Sequence, residues 1–389
     1  MPAAPRRVSE EARPRASSAG VVNPLHVRQV DELLRRMIAV GASDLHLCTG
    51  SPPMIRLHGH MTEVEGCAPY TAEAMMAQIQ AIAPGRNRRE FSERNDSDFA
   101  YAIEGLSRFR CNIFRDRRGP GMVIRAIPFE ILTPEQLGLP KSVLEFCHLS
   151  KGLVLVTGPT GSGKSTTLAT LIDVINKSRS DHIITIEDPI EFVHENKKCL
   201  VNQREVFEHT DSFKDALRAA LREDPDIVLV GEMRDLETIA IAVETAETGH
   251  LVFGTLHTST APSTVDRIID QFPGDRQGQI RQMVAESLKG VIAQTLCRKQ
   301  GGGRVAAYEI LVCTSAVANL VRERKTFQLV SVMQTGASQG MITLNQSLIR
   351  LVQDKKVDAR EAYIKAVDKG DFRRLLERAK ITLELDEPS

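Results

Sequence analysis

The sequence predicts an α/β fold with a mainly parallel sheet in its second half and a smaller α+β domain before it. Two observations support this prediction. From Gly152 onward, apolar strand-like runs alternate with loops and helical segments, which is typical of a parallel sheet with crossover helices. Ahead of Gly152, the strand-like runs are short and closely spaced, which favours a small α+β unit.

The first domain is predicted to span residues 25–130. Residues 1–24 are rich in Ala, Pro, Arg and Ser and contain almost no large apolar residue, so a disordered tail is predicted there. Helices are predicted from Val27 and over Thr71–Ile82. Three prolines interrupt the segment that follows, and residues 131–145 are therefore predicted to be a linker. The predicted strands are Asp44–Leu47, Met54–Leu57, Asp98–Ile103, Arg108–Phe114 and Met122–Ile127.

The second domain is predicted to span residues 146–380, followed by a tail at 381–389. Beyond Pro273, apolar residues recur at helical spacing, which predicts a helical C-terminal appendage. The predicted strands are Leu153–Thr157, His182–Glu187, Asp226–Val230 and Leu251–Thr255. The predicted helical faces are Ile280, Met283, Val284, Leu288, Val291 and Ile292, and then Leu344, Leu348, Leu351 and Val352.

Residues 158–165 match the pattern GxxxxGK(S/T) between a β-branched apolar run and an amphipathic helix. Glycines in such a loop let backbone N–H groups surround phosphate oxygens at the positive end of a helix. Lys164 adds a cation for the β- and γ-phosphates, and the hydroxyl of Ser165 is placed to bind Mg²⁺. The pattern predicts a nucleoside triphosphate, ATP with Mg²⁺, bound by Gly158, Pro159, Thr160, Gly161, Ser162, Gly163, Lys164, Ser165 and Thr166.

Acidic residues follow two of the later strands. Glu187, Asp188 and Glu191 come after the second strand of the predicted sheet, and Glu232 comes after the third. Because the carboxyl ends of parallel strands meet at one edge, these side chains are predicted to converge where the loop places phosphate. One carboxylate there can orient and deprotonate water, and another can hold Mg²⁺. Taken singly, each residue is equally well explained as a solvated loop charge or a helix cap.

Two histidines flank the fourth strand. His250 and His257 are seven steps apart along an extended strand, about 23 Å, so one metal ion cannot bind both. His257 follows the strand and is predicted at the nucleotide edge, where it can contact the γ-phosphate or a neighbouring subunit. For His250 a helix cap and an interface role both remain open.

Six arginines are concentrated in the second half of the first domain, and strand alternation predicts that the first two share one face of a strand. An arginine from another domain or subunit can stabilise the charge that develops in phosphoryl transfer, which couples hydrolysis to motion. A solvated basic strand face and a nucleic-acid surface are the alternatives. The six are Arg108, Arg110, Arg115, Arg117, Arg118 and Arg125.

The overall composition excludes several classes of function. Lys and Arg together number 50, as do Asp and Glu, so the net charge gives no support to nucleic acid as the main partner. No apolar stretch approaches the roughly 18 residues that span a bilayer, and the amino terminus has no secretory signal, which predicts a cytosolic chain. The seven cysteines are scattered and never spaced as Cys-x-x-Cys, which argues against a disulfide framework and a zinc site.

Together these segments resemble the type IV pilus retraction ATPases, a branch of the secretion ATPases of type II and type IV systems. The likeness runs from about Val27 to Ala366. Its marks are Gly-Ala-Ser-Asp-Leu-His-Leu at 41–47, the Walker A loop at 158–165, the Asp box at 185–194, the Walker B segment at 226–235 and the His box at 249–258.

The resemblance implies a PAS-like amino-terminal domain, a RecA-like P-loop ATPase core and a ring-shaped homo-hexamer that holds nucleotide between the two domains. It implies an inner-membrane pilus platform protein as partner, with a paralogous accessory ATPase as a further one. The expected location is the cytoplasm, at the inner face of the cytoplasmic membrane. The expected function is a motor that drives pilus retraction, pilus disassembly and twitching motility.

The resemblance also assigns roles residue by residue. Glu191 corresponds to the catalytic carboxylate and Glu232 to the Walker B acid, and both, with Ser165, are the expected Mg²⁺ ligands. His250 and His257 correspond to the His-box pair. The arginines that family members direct at phosphate correspond to Arg110, Arg115 and Arg125.

Three features bear on the subclass. Family members that assemble pili or drive secretion usually carry a four-cysteine zinc motif, which this sequence lacks, so retraction is favoured. Ala318 replaces an arginine of the retraction signature in the segment 316–323. Phe207 stands where glycine commonly follows Gln-Arg-Glu-Val. An accessory, assembly or secretion ATPase and a nucleotide switch without turnover remain the alternatives.

Overall fold

The computed structural model describes residues 24–57, 59–127 and 131–383, and the chain divides into two compact units after Ile127. The predicted tails at 1–24 and 381–389 therefore lie almost entirely outside the described residues. No helix within these ranges is both long enough and apolar enough to cross a membrane.

The first unit is a six-stranded antiparallel sheet with three helices. Its strands lie in the order β3-β2-β1-β6-β5-β4. The strands are β1 Asp44–Cys48, β2 Met54–Leu57, β3 His60–Glu63, β4 Asp96–Ile103, β5 Ser107–Asp116 and β6 Gly119–Ile127. The helices are α1 Pro24–Ala39, α2 Ala72–Ile82 and α3 Gly85–Arg94. All five predicted strands and both predicted helices are confirmed.

Strand alternation divides this sheet into an apolar face and a charged face. Alternate residues of β1, β5 and β6 are fully buried in one core together with side chains of α1 and α2. The residues between them point to the opposite face and include Arg108, Arg110 and Arg125. Core members with no exposed surface include Val30, Leu34, Met37, Leu45, Met75, Phe109, Met122 and Ile124.

The second unit is a seven-stranded sheet in the order β13-β12-β7-β11-β10-β8-β9. Neighbouring strands are parallel except for the β12–β13 hairpin. The strands are β7 Gly152–Thr157, β8 His182–Glu187, β9 Leu200–Glu205, β10 Ile227–Val230, β11 Leu251–Leu256, β12 Leu288–Arg298 and β13 Arg304–Val312. The larger helices are α6 Lys164–Ser178, α7 Phe213–Ala220, α8 Leu236–Thr248, α9 Ala261–Asp270 and α10 Gln277–Ser287.

The segment expected to be a linker belongs to the second unit. Helices α4 Pro134–Leu137 and α5 Lys141–Leu144 occupy it, and Thr133 caps α4. Val143 and Phe146 are buried in one core with Val154 of β7. Pro134 and Pro140 therefore lie at the starts of helices instead of marking an extended connection.

The prediction of a helix through Leu288, Val291 and Ile292 is wrong, because α10 ends at Ser287 and these residues form β12. The strand is buried on both faces between β7 and β13, so its apolar residues are continuous, and a continuous apolar run does not distinguish strand from helix. Position 290 of this strand needs glycine, since a Cβ there would lie 2.1 Å from the Phe146 ring.

The helical C-terminal appendage is confirmed beyond β13. Its first helix, α11, follows the hairpin directly, and its later helices bury Leu348 and Phe372 against the ends of β12 and β13. Glu309 of β13 is buried, and its carboxylate accepts hydrogen bonds from the first backbone N–H groups of α9 (2.7 Å, from Ala261) and α13 (3.2 Å, from Leu344). The helices are α11 Ser315–Arg322, α12 Leu329–Thr335, α13 Leu344–Gln353, α14 Ala359–Lys365 and α15 Lys369–Arg378.

Candidate nucleotide site

The loop 158–165 joins the end of β7 to the start of α6, as predicted. Gly158, Gly161 and Gly163 have φ values of +146°, +76° and +92°, which side-chain-bearing residues rarely adopt. A Cβ at Gly158 would also lie 2.3 Å from the backbone oxygen of Gln294. Backbone conformation therefore requires glycine at these positions. Ser165 and Thr166 lie in the first turn of α6, at its positive end.

Lys164 folds back onto this loop. Its Nζ donates hydrogen bonds to the backbone oxygens of Gly158 (2.7 Å) and Pro159 (3.2 Å). Burial lowers the pKa of Lys164, while the charges of Glu232 and Glu191 act in the opposite direction. The ammonium group is thus held by neutral acceptors, which a phosphate oxygen can replace with a stronger, charge-assisted bond.

The carboxyl ends of the central strands meet beside the loop. Val230 of β10 is level with Ile186 of β8 and Gly254 of β11, and Leu256 of β11 is level with Thr157 of β7. The residues that follow each strand therefore share one edge, which the strand pattern predicted. The edge carries Gly158, Glu187, Glu191, Glu232 and His257.

Glu232 is the centre of a hydrogen-bonded group. Its Oε1 lies 2.8 Å from Nε2 of His257 and accepts a hydrogen bond from Nε of Arg234 (2.5 Å). Burial alone would raise the pKa of Glu232, but Arg234 and His257 outweigh it and hold that pKa below its usual range. Arg234 was not singled out from the sequence, although its position two residues after the acid is a signal for such a pair.

Glu187, one strand away, has the opposite character. Its Oε1 accepts hydrogen bonds from Thr185 (2.7 Å) and Gln203 (3.2 Å). Burial raises its pKa to about 7, and repulsion from Glu191 adds to the effect. Two carboxyl groups at one edge, Glu187 and Glu232, therefore have pKa values displaced in opposite directions, which is common in sites of acid–base chemistry.

His250 lies at the opposite end of β11 from His257. Its backbone N–H and its Nδ1 both lie within 3.3 Å of the oxygen of Thr245 at the end of α8. Its own backbone oxygen accepts from Gly152. Within this chain His250 has the contacts of a helix cap, and its role as a His-box partner stays a prediction.

Two of the three predicted arginines, Arg110 and Arg125, belong to the charged face of the first unit. Arg110 and Arg125 are direct cross-strand partners on β5 and β6, whereas Arg115 lies near the end of β5 with its guanidinium 5.5 Å from the ring of Phe91. The Nε of Arg115 donates a hydrogen bond to Asn95 (3.0 Å) and that of Arg125 donates to Asp44 (2.7 Å). Arg110 forms a longer ion pair with Asp98, with 3.7 Å between its Nε and a carboxylate oxygen.

The available donors at the loop suit Mg²⁺. Ser165 offers a hydroxyl oxygen at the helix start, and Glu191 and Glu232 offer carboxylate oxygens, the hard ligands that Mg²⁺ prefers alongside phosphate and water. Within 24–57, 59–127 and 131–383, no three His, Cys, Asp or Glu side chains converge on a common metal position. The seven cysteines, all within the described residues, are free thiols.

Gln294 was missed entirely, because its segment was predicted to be helical. Its side chain is 4% exposed and contacts the phosphate-binding loop from β12. A lone amide in the apolar run from Gly290 to Cys297 is the signal that could have identified it.

Ala318, where the retraction signature has arginine, is 7% exposed and packs in the core of the second unit.

Comparisons with known proteins identify relatives of this chain. The family model described as type II/IV secretion system protein matches residues 22–373. The type IV pilus retraction ATPase PilT of Pseudomonas aeruginosa is 52% identical over 337 residues, covering 87% of this chain and 98% of that protein. A twitching motility protein of Neisseria gonorrhoeae is 50% identical over 302 residues, covering 77% and 80%.

The fold also matches a solved structure. The crystal structure of the pilus retraction motor PilT with bound ADP aligns with a TM-score of 0.83 at 46% identity, covering 88% of this chain and 98% of that one. The predicted fold class, a P-loop α/β core with a smaller amino-terminal domain, is confirmed.

Proposed function

The chain belongs to the type II/IV secretion system protein family, and from that membership we propose that it is an ATP-hydrolysing motor that retracts type IV pili. The observation that carries the proposal is the convergence of the glycine loop, Lys164, Glu191 and the Glu232 group at one sheet edge. The likeness of this chain to a retraction ATPase, along nearly the whole of that protein, supports pilus retraction as the work that hydrolysis drives.

In this mechanism the loop binds the phosphates of ATP, and Lys164 moves from the loop oxygens to the β- and γ-phosphates. Ser165, Glu191 and Glu232 would hold Mg²⁺, which would neutralise negative charge on the phosphates. Glu191 orients and polarises the attacking water. His257 and Arg234 keep Glu232 ionised and fixed in direction, because both bond the same carboxylate oxygen.

The arginines supply positive charge from the first unit. Because the Nε of Arg115 and that of Arg125 are hydrogen-bonded within their own unit, the terminal nitrogens of these two guanidinium groups remain the part that can reach a phosphate. We assign Arg125 and Arg110 as a pair on one face and Arg115 as a separate contact. Closure on ATP and release after hydrolysis would then convert bond cleavage into rigid-body motion.

The assembly that this requires is a homo-hexamer at the inner face of the cytoplasmic membrane, acting on a pilus platform protein. An accessory ATPase of the same family is a further partner. Two rival functions are distinguishable by experiment. An assembly or secretion ATPase predicts loss of pili when the gene is deleted, whereas a retraction motor predicts pili that persist without retracting. A nucleotide switch predicts normal ATP binding with little phosphate release.

The decisive variant is Glu191→Gln, which keeps side-chain size and removes the charge that polarises water. Phosphate release by the purified protein should fall at least 100-fold while ATP binding persists. Cells carrying the variant should keep their pili and fail to retract them. The matched control is Glu195→Gln, an exposed glutamate four residues away, which should hydrolyse and retract normally. Normal retraction in the Glu191→Gln cells would overturn the mechanism.

A further inference from the structure

We propose that Gln294 is a positioning residue for phosphate binding, acting through the peptide bond between Ser162 and Gly163. This inference rests on the proposed function, since it gives the nucleotide loop a support outside the Walker A segment. In the sheet, Ala293 of β12 is level with Thr157 of β7, so Gln294 lies immediately beside the start of the loop.

The side-chain amide of Gln294 is hydrogen-bonded at both its nitrogen and its oxygen. Its Nε2 donates to the backbone oxygen of Ser162 (2.8 Å), and its Oε1 accepts from the hydroxyl of Thr167 (2.9 Å). The first bond holds the loop and the second holds the opening turn of α6. Because the Ser162 oxygen can only accept, the amide cannot be reversed without losing that bond.

The bond to Ser162 fixes a peptide plane. In a planar trans peptide the carbonyl oxygen of Ser162 and the N–H of Gly163 point in opposite directions. Holding that oxygen against β12 therefore directs the Gly163 N–H away from β12, toward the hollow of the loop where phosphate binds. The loop is thereby organised before nucleotide arrives.

The surrounding residues fit this role. A Cβ at Gly163 would lie 3.1 Å from Nε2 of Gln294, and one at Gly158 would lie 2.3 Å from its backbone oxygen. Two loop glycines thus give room to the same residue of β12. A buried amide is unfavourable unless its hydrogen bonds are made, and here both partners belong to the loop and its helix.

The test compares Gln294→Leu with Thr167→Val, a matched variant that removes the other hydrogen bond of the same amide. Binding of MgADP and of inorganic pyrophosphate is measured by calorimetry, and the melting temperature is measured for each protein. Gln294→Leu should weaken both ligands about tenfold, the effect of losing roughly 1.4 kcal/mol. Thr167→Val should weaken them less than threefold, even where both variants lower the melting temperature equally.

Several outcomes overturn the inference. It fails if Gln294→Leu binds both ligands like the wild type, or if Thr167→Val weakens them equally. Should Gln294→Leu not fold, Gln294→Asn, whose amide is one carbon too short to reach Ser162, must show the same tenfold loss. The proposed function fails separately: wild-type protein that binds MgADP but does not hydrolyse ATP would refute the motor and leave the role of Gln294 intact.

Discussion

The two sheets of this molecule carry their functional charges in different places. In the antiparallel sheet of the first unit, Arg110, Arg125 and Asp44 lie within strands, on the face that the core does not cover. In the parallel sheet of the second unit, β7, β10 and β11 are buried throughout, and the charges come only after the strands end. Where one face of a sheet is uncovered, polar and apolar residues alternate along its strands, and the polar ones can carry function. Where both faces are covered, functional charges can lie only at the edges of the sheet.

The difference extends to how each charge is stabilised. Asp44 is 4% exposed and bonds Arg125 and Ser43 within its own sheet, so its charge is compensated by the fold. Lys164 has only backbone oxygens as hydrogen-bond acceptors. Charges that are paired within the fold, such as that of Asp44, stabilise the structure as well as serving function. Charges such as that of Lys164 gain a charged partner only when a ligand binds. Substitutions that remove one charge from each sheet test this contrast.

Lys164→Ala should give the largest effect. ATP hydrolysis should fall more than 100-fold, because the cation for the β- and γ-phosphates is lost, while the free energy of unfolding without nucleotide should not decrease, since burial already disfavours this ammonium group. Phosphate release and urea unfolding measure the two quantities. Lys177→Ala, an exposed lysine of the same helix, is the control and should leave hydrolysis unchanged. Equal hydrolysis by Lys164→Ala and wild type would refute the site.

Arg125→Met should behave differently, losing both activity and stability. Hydrolysis should fall about tenfold, and the free energy of unfolding should fall by about 2 kcal/mol, because the buried carboxylate of Asp44 loses its nearest cation. Arg56→Met is the control, since Arg56 lies 3.9 Å from the same carboxylate and should matter less. A purely catalytic effect of Arg125→Met, with unchanged urea unfolding, would break the contrast between the sheets.

Glu187→Gln tests a buried acid at the parallel edge. The folded pKa of about 7 lies above the ordinary 4.5, so the folded state favours the protonated form. The unfolded chain releases this proton first, and wild-type stability should therefore fall as pH rises from about 4.5 to about 7. Glu187→Gln should be more stable than wild type at pH 8 by about 1–2 kcal/mol, with little difference at pH 4.5. Urea unfolding at both pH values decides it, and the same difference at both would contradict this account.

Phe207→Gly should give the smallest effect, a gain of about 1 kcal/mol in stability. Phe207 has φ of +71°, which is unfavourable for a residue with a Cβ and accounts for the glycine usual at this place. In the first unit the comparable position is Asn95, at φ +59°, a residue type that tolerates this conformation. Asn95→Gly should bring no gain, because it also removes the acceptor of Arg115. Thermal unfolding of both variants tests the pair, and a destabilised Phe207→Gly would count against backbone strain.

The sequence was sufficient for whatever depends on local pattern. Local pattern located five of the six strands of the first unit and missed β3, whose four residues are all exposed. The ends of the predicted strands placed Glu191, Glu232 and His257 at one edge. The sequence was insufficient where a segment is buried on both faces, because polar and apolar residues no longer alternate there. The segment from Leu288 is apolar on both faces, and its pairing with β7, more than 130 residues earlier in the chain, is a long-range contact that no local period records.

The same failure hid the contacts that support the site. Gln294 became recognisable only once its strand was placed beside the loop, and the bond between Arg234 and Glu232 depends on side-chain direction after β10. Direct ligands have sequence motifs because phosphate dictates their spacing. Residues that position those ligands have no fixed spacing from them, so the sequence gives only weak signals and the geometry is needed to identify them.

Glu309 connects the C-terminal helices to the edge of the sheet that carries the candidate nucleotide site. The helix whose start it holds, α9, begins four residues after His257, and the same carboxylate also holds the start of α13. If one of these helices slid along the other, the buried carboxylate or a backbone amide would lose its hydrogen-bond partner. The cost would be about 1.5–3 kcal/mol for each bond broken. The starts of the two helices therefore share one buried acceptor, and displacing either helix relative to Glu309 breaks a hydrogen bond that holds it.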